Sequence, residues 1–229
     1  MIQLSVRLQT VADQMLSGGV VADIGCDHGF TSIYLVSQGK AAAAIAMDVR
    51  EGPLQRAKTH VAEAGLQDRI ALRLSDGTEA LMPGEADTIL ISGMGGALME
   101  KILRAKPEVT RQVKELILSP QSDVYRVRHC LHELGFRIVR ETMVFDMGKY
   151  YVVLRAVPGE EHYCAEIEYT YGRDLIRQKD PVFYRYMVKE KQRVAGILAH
   201  FPADSDPVKR GRLEEEAANI NQVLTLLDE

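Results

Sequence analysis

The chain has 229 residues, 46% apolar and 26% charged, with a formal net charge of −4, which excludes a disordered chain and leaves room for one substantial core and a small second domain. No run of about eighteen apolar residues marks a membrane span, and Arg7 and Asp13 interrupt the apolar positions of the first fourteen residues, so no secretory leader is read there and a cytoplasmic protein is expected. Cys26, Cys130 and Cys164 lack C-x-x-C spacing; neither disulfides nor a metal site is expected, and all three read as buried thiols.

Residues 1–16 read as a helix, with Leu4, Leu8, Val11 and Met15 on one face and Gly18-Gly19 ending it. Val20-Val21-Ala22-Asp23-Ile24 is then a short apolar strand, and Gly25-Cys26-Asp27-His28-Gly29 a glycine-interrupted loop leading into a helix at about 32–38. This is how the first parallel strand of a doubly wound sheet hands over to its helix. A dinucleotide fold wants G-x-G-x-x-G, because its second glycine lets a pyrophosphate approach the helix N-terminus. Here Asp27 stands near that place. A carboxylate repels a diphosphate and attracts the ammonium and sulfonium of S-adenosylmethionine, so the D-x-G-x-D-x-G form favours that cofactor; an ordinary strand-to-helix turn with incidental glycines is the alternative.

Residues 41–47 form the second strand, finishing at Asp48, about twenty residues past the loop, where an acid can accept hydrogen bonds from two ribose hydroxyls; a surface turn acid is the alternative. A helix over 51–65 follows, with Pro53 in its first turn, and then a third strand over 70–74 closed by Ser75-Asp76-Gly77. Asp76 and its neighbouring backbone can read an adenine edge, or Asp76 can cap a helix. The fourth strand, 86–91, runs into Ser92-Gly93-Met94-Gly95-Gly96, where the glycines suggest either close approach of a ligand to backbone or a tight turn.

Helical pieces at 97–105 and 108–114 precede a fifth strand at 115–118, which ends in Ser119-Pro120-Gln121; a helix over 123–134 ends at Gly135. Residues 136–145 and 150–157 are strands joined by Asp146-Met147-Gly148-Lys149, a hairpin signal. Five strand-helix units and a terminal antiparallel hairpin make an α/β, Rossmann-like class I methyltransferase sheet; a nicotinamide enzyme more often continues in parallel units.

Pro158-Gly159 is the natural boundary, giving a cofactor-binding domain over 1–158 and a helical, coiled-coil-like domain over 159–229. Beyond it, Cys164, Ile167, Tyr171 and Leu175 share one helical segment, and Met187, Val194, Leu198 and Phe201 the next; Pro202 to Pro207 breaks the chain. Leu213, Ala217, Ile220, Leu224 and Leu227 form an a/d seam that needs a partner, either the helix at 181–200 of the same chain or a second copy, so a monomer or a homodimer through these helices is expected. Within the tail, Arg173, Arg177, Lys179, Arg185, Lys189, Lys191 and Arg193 face only Asp174, Asp180 and Glu190, a local excess of +4. Clustered charge is what a polyanion reads, so Lys189, Lys191 and Arg193 are candidate nucleic-acid contacts; a solvated helix face is the alternative.

Taken together, Leu4-Ser5-Val6-Arg7-Leu8, Ala22-Asp23-Ile24-Gly25-Cys26-Asp27-His28, Gly52-Pro53, Asp76-Gly77, Gly93-Met94-Gly95-Gly96 and Lys149-Tyr150-Tyr151 resemble the bacterial TrmK-type family, which methylates N1 of adenine 22 in tRNA. The matches spread over the N-terminal two-thirds; where that family often shows Gln-Pro-Asn after strand five, this chain has Ser119-Pro120-Gln121. The resemblance implies an enzyme using S-adenosylmethionine on tRNA, with no metal. It implies that Arg7 holds the cofactor carboxylate and that Gly25, Asp27 and His28 surround the methionine part, with Asp23, Cys26, Val49, Ser92, Gly93 and Met94 also among the cofactor-binding residues. Asp48 would then hold the ribose, and Asp76 and Gly77 the adenine. Asp27, Met94 and Tyr150 are candidates for the target base, although Met94 equally suits core packing, His28 a turn, and Tyr150 an ordinary strand position. Another methyl acceptor, or a tRNA-binding module without activity, is the competing functional class.

Overall fold

The computed structural model describes residues 2–16, 18–201 and 206–229. The first residue of the expected N-terminal helix and most of the expected break from Pro202 to Pro207 lie outside the described residues. The chain divides into two compact units, Met1–His162 and Tyr163–Glu229. The division falls a few residues after Pro158-Gly159 because the intervening residues stay tied to the first unit. Gly159 N donates to Gly135 O, and Glu161 accepts from Ile138 N at 2.9 Å while lying 3.3 Å from His132 Nε2.

In the first unit, β1 (Val20–Ile24), β2 (Ala43–Asp48), β3 (Ile70–Leu74), β4 (Thr88–Ser92), β5 (Glu115–Ser119), β6 (Phe136–Asp146) and β7 (Lys149–Pro158) form one sheet in the order β3-β2-β1-β4-β5-β7-β6. The first five strands are parallel; β7 enters antiparallel to β5 and pairs with β6 as the hairpin. Strand order reverses between β1 and β4, and the crevice beyond the carboxyl ends of strands at such a switch point is where ligands bind in open α/β sheets.

Alternation along the strands buries both faces, as a parallel sheet requires. Val21, Leu90, Ile117 and Val153 join Val11, Ala12 and Met15 of α1 (Val6–Gln14), Ile33 and Val36 of α2 (Phe30–Ser37), and Leu54, Ala57 and Val61 of α3 (Glu51–Glu63) in one core cluster. The residues of opposite parity, Ile89, Ile91, Leu116 and Leu118, are equally buried. Helix α1 starts later than the apolar spacing suggests because Ser5 caps it, accepting from Leu8 N at 3.4 Å. On the far side of β4, α4 (Gly96–Ala105) is followed by the single turn α5 (Pro107–Thr110), and α6 (Val124–Glu133) leads into the hairpin.

The second unit is helical: α7 (Glu166–Tyr171), α8 (Arg173–Arg177), α9 (Pro181–Ala199) and α10 (Pro207–Asp228). One segment expected to be continuous is two short helices because Gly172, at φ 98° and ψ 111°, breaks the hydrogen-bond ladder. Cys164 precedes α7 and is exposed, which corrects the expectation of three buried thiols; Cys26 and Cys130 are buried. The seam on α10 is covered by α9: Ile220, Val223, Leu224 and Leu227 are buried, as are Phe183, Met187 and Val194 opposite. Among the described residues no helix is long and apolar enough to cross a membrane.

Candidate active site

The loop after β1 is shaped by three left-handed residues, Gly25 (φ 76°), Asp27 (φ 49°) and Gly29 (φ 73°). The backbone N–H groups of Gly25 and Cys26 both donate to Met47 O, at 2.8 and 2.9 Å, which folds the loop over the end of β2. Asp48 is there to meet it. Its Oδ2 accepts from Asp27 N at 3.4 Å and its Oδ1 from Arg50 N at 3.0 Å, so the buried carboxylate is held at the strand end by backbone donors. Asp27 carries a non-glycine residue into αL geometry, a cost that Asp tolerates better than most side chains. Its carboxylate stays largely exposed, 3.6 Å from both His28 Nε2 and Arg56 Nη2.

Asp23 is buried beneath this loop and accepts from Ser32 Oγ at 2.7 Å. Burial pushes its carboxyl up to about 6, the hydroxyl hydrogen bond opposing and the nearby Asp48 charge adding to the rise. Burial, aided by Asp23, Asp48 and Asp27, also raises the Cys26 thiol far above its ordinary range. Cys26 is therefore a neutral packing residue rather than a nucleophile.

At the opposite end, the first turn of α1 brings Arg7 across the sheet. Its Nη1 donates to Ser92 Oγ at 2.8 Å, its backbone N–H donates to Asp146 Oδ2 at 3.1 Å, and its guanidinium lies 5.1 Å from the Tyr151 ring centroid. Gly93, at φ 82°, runs beside the guanidinium, which a Cβ there would touch at an ordinary contact distance of 3.5 Å. Across the middle lies Met94, whose terminal methyl would collide with any Cβ at Gly25. Both glycines are needed for their left-handed backbone; a side chain at Gly25 would in addition have to displace the end of Met94, whereas one at Gly93 would meet its neighbours only at ordinary contact distance.

These elements enclose a cavity of about 500 Å³, within the usual size of a small-molecule site. It is lined by Arg7, Asp23, Gly25, Cys26, Asp27, His28, Asp48, Val49, Asp76, Gly77, Ser92, Gly93 and Met94, so every residue expected around the cofactor is brought to one place. Tyr150 is not among the lining residues; its ring packs 4.8 Å from Phe145 on the hairpin, and Tyr151 is the one under Arg7. Phe30, Thr31, Arg50, Leu98, Ile102 and Gln121 also line the cavity, and sequence reasoning did not single them out. Leu98 and Ile102 stand four apart on α4, a spacing that reads equally as core. Gln121 follows Ser119-Pro120, and its backbone N–H donates to Met94 O at 2.9 Å. Ser119 itself is buried in β5 and does not reach the cavity.

The balance of charge is legible from the lining. Asp23, Asp27, Asp48 and Asp76 supply negative charge on one side, with Arg50 beside Asp48 and Arg7 alone at the far end. Such a site suits a ligand that is cationic at its centre and carries a carboxylate at one tip. Among the described residues no group of three or more His, Cys, Asp or Glu could hold a metal ion.

In the second unit, Lys189 and Arg193 are four residues apart on α9 and share an outer stripe with Arg185. Lys191 follows Met187 by four and emerges beside the buried face instead, so the structure does not bring all three candidates together. Arg193 is also engaged, pairing with Glu190 at 2.7 Å and with Glu216 of α10 at 2.6 Å.

A switch-point cavity lined by acids, on a sheet closed by an antiparallel hairpin, defines a methyltransferase, and residues 4–154 match the family model described as a methyltransferase domain. The likeness extends further. The tRNA (adenine(22)-N(1))-methyltransferase of Bacillus subtilis (strain 168) is 33% identical over 228 residues, 97% of this chain and 96% of that protein. The crystal structure of the B. subtilis M1A22 tRNA methyltransferase TrmK superposes with a TM-score of 0.88 at 33% identity, covering 98% of this chain and 100% of that one. A Streptococcus pneumoniae structure in complex with S-adenosyl-L-methionine superposes with a TM-score of 0.88 at 32% identity, covering 97% and 100%. The chain belongs to the tRNA (adenine(22)-N(1))-methyltransferase family.

Proposed function

We propose that this protein transfers a methyl group from S-adenosylmethionine to N1 of adenine 22 in tRNA. The observation that carries the proposal is the convergence of Asp23, Asp27, Asp48 and Asp76 on one cavity with Arg7 at its far end, in a chain alike from end to end to a protein of that activity.

The residues present fit the methyl donor. Arg7, steadied by Ser92, is placed for the carboxylate; Gly25, Cys26, Asp27 and His28 wrap the methionine part beside Asp23 and Gly93. Asp48 and Val49 serve the ribose, and Asp76 and Gly77 the adenine. Gly25 and Gly93 line this cavity in left-handed conformations that glycine adopts without cost. When bound, this donor supplies a methyl group activated by a positively charged sulfur. The chain's task is alignment, since adenine N1 offers a lone pair and carries no proton that a side chain must remove. Consistent with that, the buried Cys26 is held neutral and nothing in the cavity resembles an activated nucleophile. Asp27 and Met94 bound the cavity where the base must arrive, and the exposed Asp27 carboxylate offsets positive charge developing on the purine.

Because N1 lies on the pairing edge, the base must be presented unpaired. Arg185, Lys189 and Arg193 provide the phosphate-facing stripe, with Lys191 on the other flank of the same helix. The α10 seam is covered by α9 within one chain, so we propose a monomer working in the cytoplasm. Treating transcripts that carry adenine or guanine at position 22 with the protein and labelled donor, then mapping modified nucleosides by mass, tests the activity. Label at N1 of adenine 22 that disappears with guanine is expected; methylation elsewhere, or none, refutes it.

A further inference from the structure

We propose that His28, Phe30 and His60 form an aromatic shelf on which the target adenine is laid, and that the shelf favours the base once it is positively charged. The inference rests on the activity proposed above and adds to it the place where the base is received.

The three rings are close to parallel, with interplanar angles of 9°, 25° and 29° and centroid separations of 5.5, 4.7 and 5.7 Å. Three nearly equal separations exclude a column, in which the outer rings would stand nearly twice as far apart as neighbours. The rings form a stepped plate instead. It is built by the β1–α2 loop with the first residue of α2 and by the last turn of α3, locked together where His60 Nδ1 meets His28 O at 2.9 Å. Gly29 permits this approach: a Cβ there would already be 3.1 Å from Ala57 Cβ of α3.

The plate opens toward the site. His28 and Phe30 line the cavity, and Phe30 is 38% exposed, so part of its ring is open to a ligand. A purine is a flat partner that such a surface stacks well. In the transfer, the bond from sulfur to the methyl carbon breaks as the bond from N1 to that carbon forms, no proton moves, and the positive charge passes to the adenine ring. The face of Phe30 attracts a cation, and the Asp27 carboxylate, 3.6 Å from His28 Nε2, adds a negative charge at the edge of the plate. The shelf therefore binds the methylated base more tightly than the neutral one, which is the kind of difference that accelerates a reaction.

The test uses the full chain with S-adenosylhomocysteine and a tRNA carrying 2-aminopurine at position 22, whose fluorescence is quenched when the base stacks. Phe30→Leu is expected to leave the bound probe several-fold brighter than wild type and to slow single-turnover methylation of natural tRNA at least tenfold. Phe30→Tyr should restore both, and donor affinity by calorimetry should stay within about twofold for each. His60→Leu, outside the cavity lining, should brighten the probe and slow transfer to a smaller degree; it reports on the shelf should Phe30→Leu fold poorly. Unchanged brightness and rate in Phe30→Leu and His60→Leu would overturn the shelf. So would a loss of donor affinity in step with the rate, which would make Phe30 a cofactor wall. Wild-type protein that methylates no adenine-22 tRNA would overturn the activity and the shelf with it, whereas wild-type activity preserved in both leucine variants overturns the shelf alone.

Discussion

Asp23 places a carboxyl under the cofactor loop with Ser32 Oγ as its side-chain donor. Its folded-state pKa of about 6 lies above the ordinary 3.8, so the native state holds this proton more tightly than the unfolded chain does. The linked stability is complete below about pH 4 and is lost as pH rises through 6, leaving the ionised acid a burden at neutral pH. Asp23→Asn, which can still accept from Ser32, is expected to raise Tm at pH 8 by several degrees, on the order of 1–3 kcal/mol, with the gain gone at pH 4. A melting series across that range checks it, and an equal gain at both ends would deny the titration. Asp48, at the end of β2, accepts from the backbone N–H groups of Asp27 and Arg50. Asp48→Ala should weaken donor binding by about 1–3 kcal/mol in calorimetry, the scale of a missing charged hydrogen bond.

At the level of elements, two interactions hold segments that line the cavity. Arg73 on β3 makes a double hydrogen bond to Glu85 at 2.8 and 2.6 Å and donates to Ala80 O at 2.6 Å, closing the segment that carries Ser75, Asp76 and Gly77. The guanidinium holds the Glu85 carboxyl down at about 2, so this contribution is present above about pH 4.5 and is lost as pH falls through 2. Arg73→Ala is expected to cost about 1 kcal/mol and to speed amide hydrogen exchange over 75–86 while leaving β1 and β4 protected. The second interaction is at Gly96, where a Cβ would be driven into the carbonyl oxygens of Ser122 and Asp123. Gly96→Ala should force α4 away from α6, lower stability by about 2–3 kcal/mol in denaturant titration, and displace Met94 two residues upstream.

For the molecule as a whole, the division into a cavity-bearing unit and a helical unit separates two kinds of energy. Donor binding belongs to the first, and long-range attraction of a polyanion suits the stripe on α9. Replacing Lys189 and Arg193 with neutral residues should weaken tRNA binding and reduce its salt slope by about one for each phosphate no longer neutralised, with donor affinity unchanged. Lys191→Gln should do less, because it leaves the helix beside the buried face. A salt slope insensitive to all three would remove α9 from the interface.

Much of this was legible in the chain itself. The acid ending β2 some twenty residues past the first loop, the glycines after β4 and the hairpin after α6 are local signals, because strand length, turn chemistry and loop spacing are set by neighbours in sequence. Choices of face were not local. Tyr150 and Tyr151 point to opposite sides of β7, and only the pairing of Phe145 with Tyr150 and Val144 with Tyr151, together with the crossing of α1, decides that Tyr151 meets Arg7. Phe30 and His60 stand thirty residues apart and became neighbours only through the packing of α3 on the loop. Periodicity tells which residues share a side of an element; which side meets the ligand is determined by how the elements are laid against one another, and that depends on contacts between distant parts of the chain.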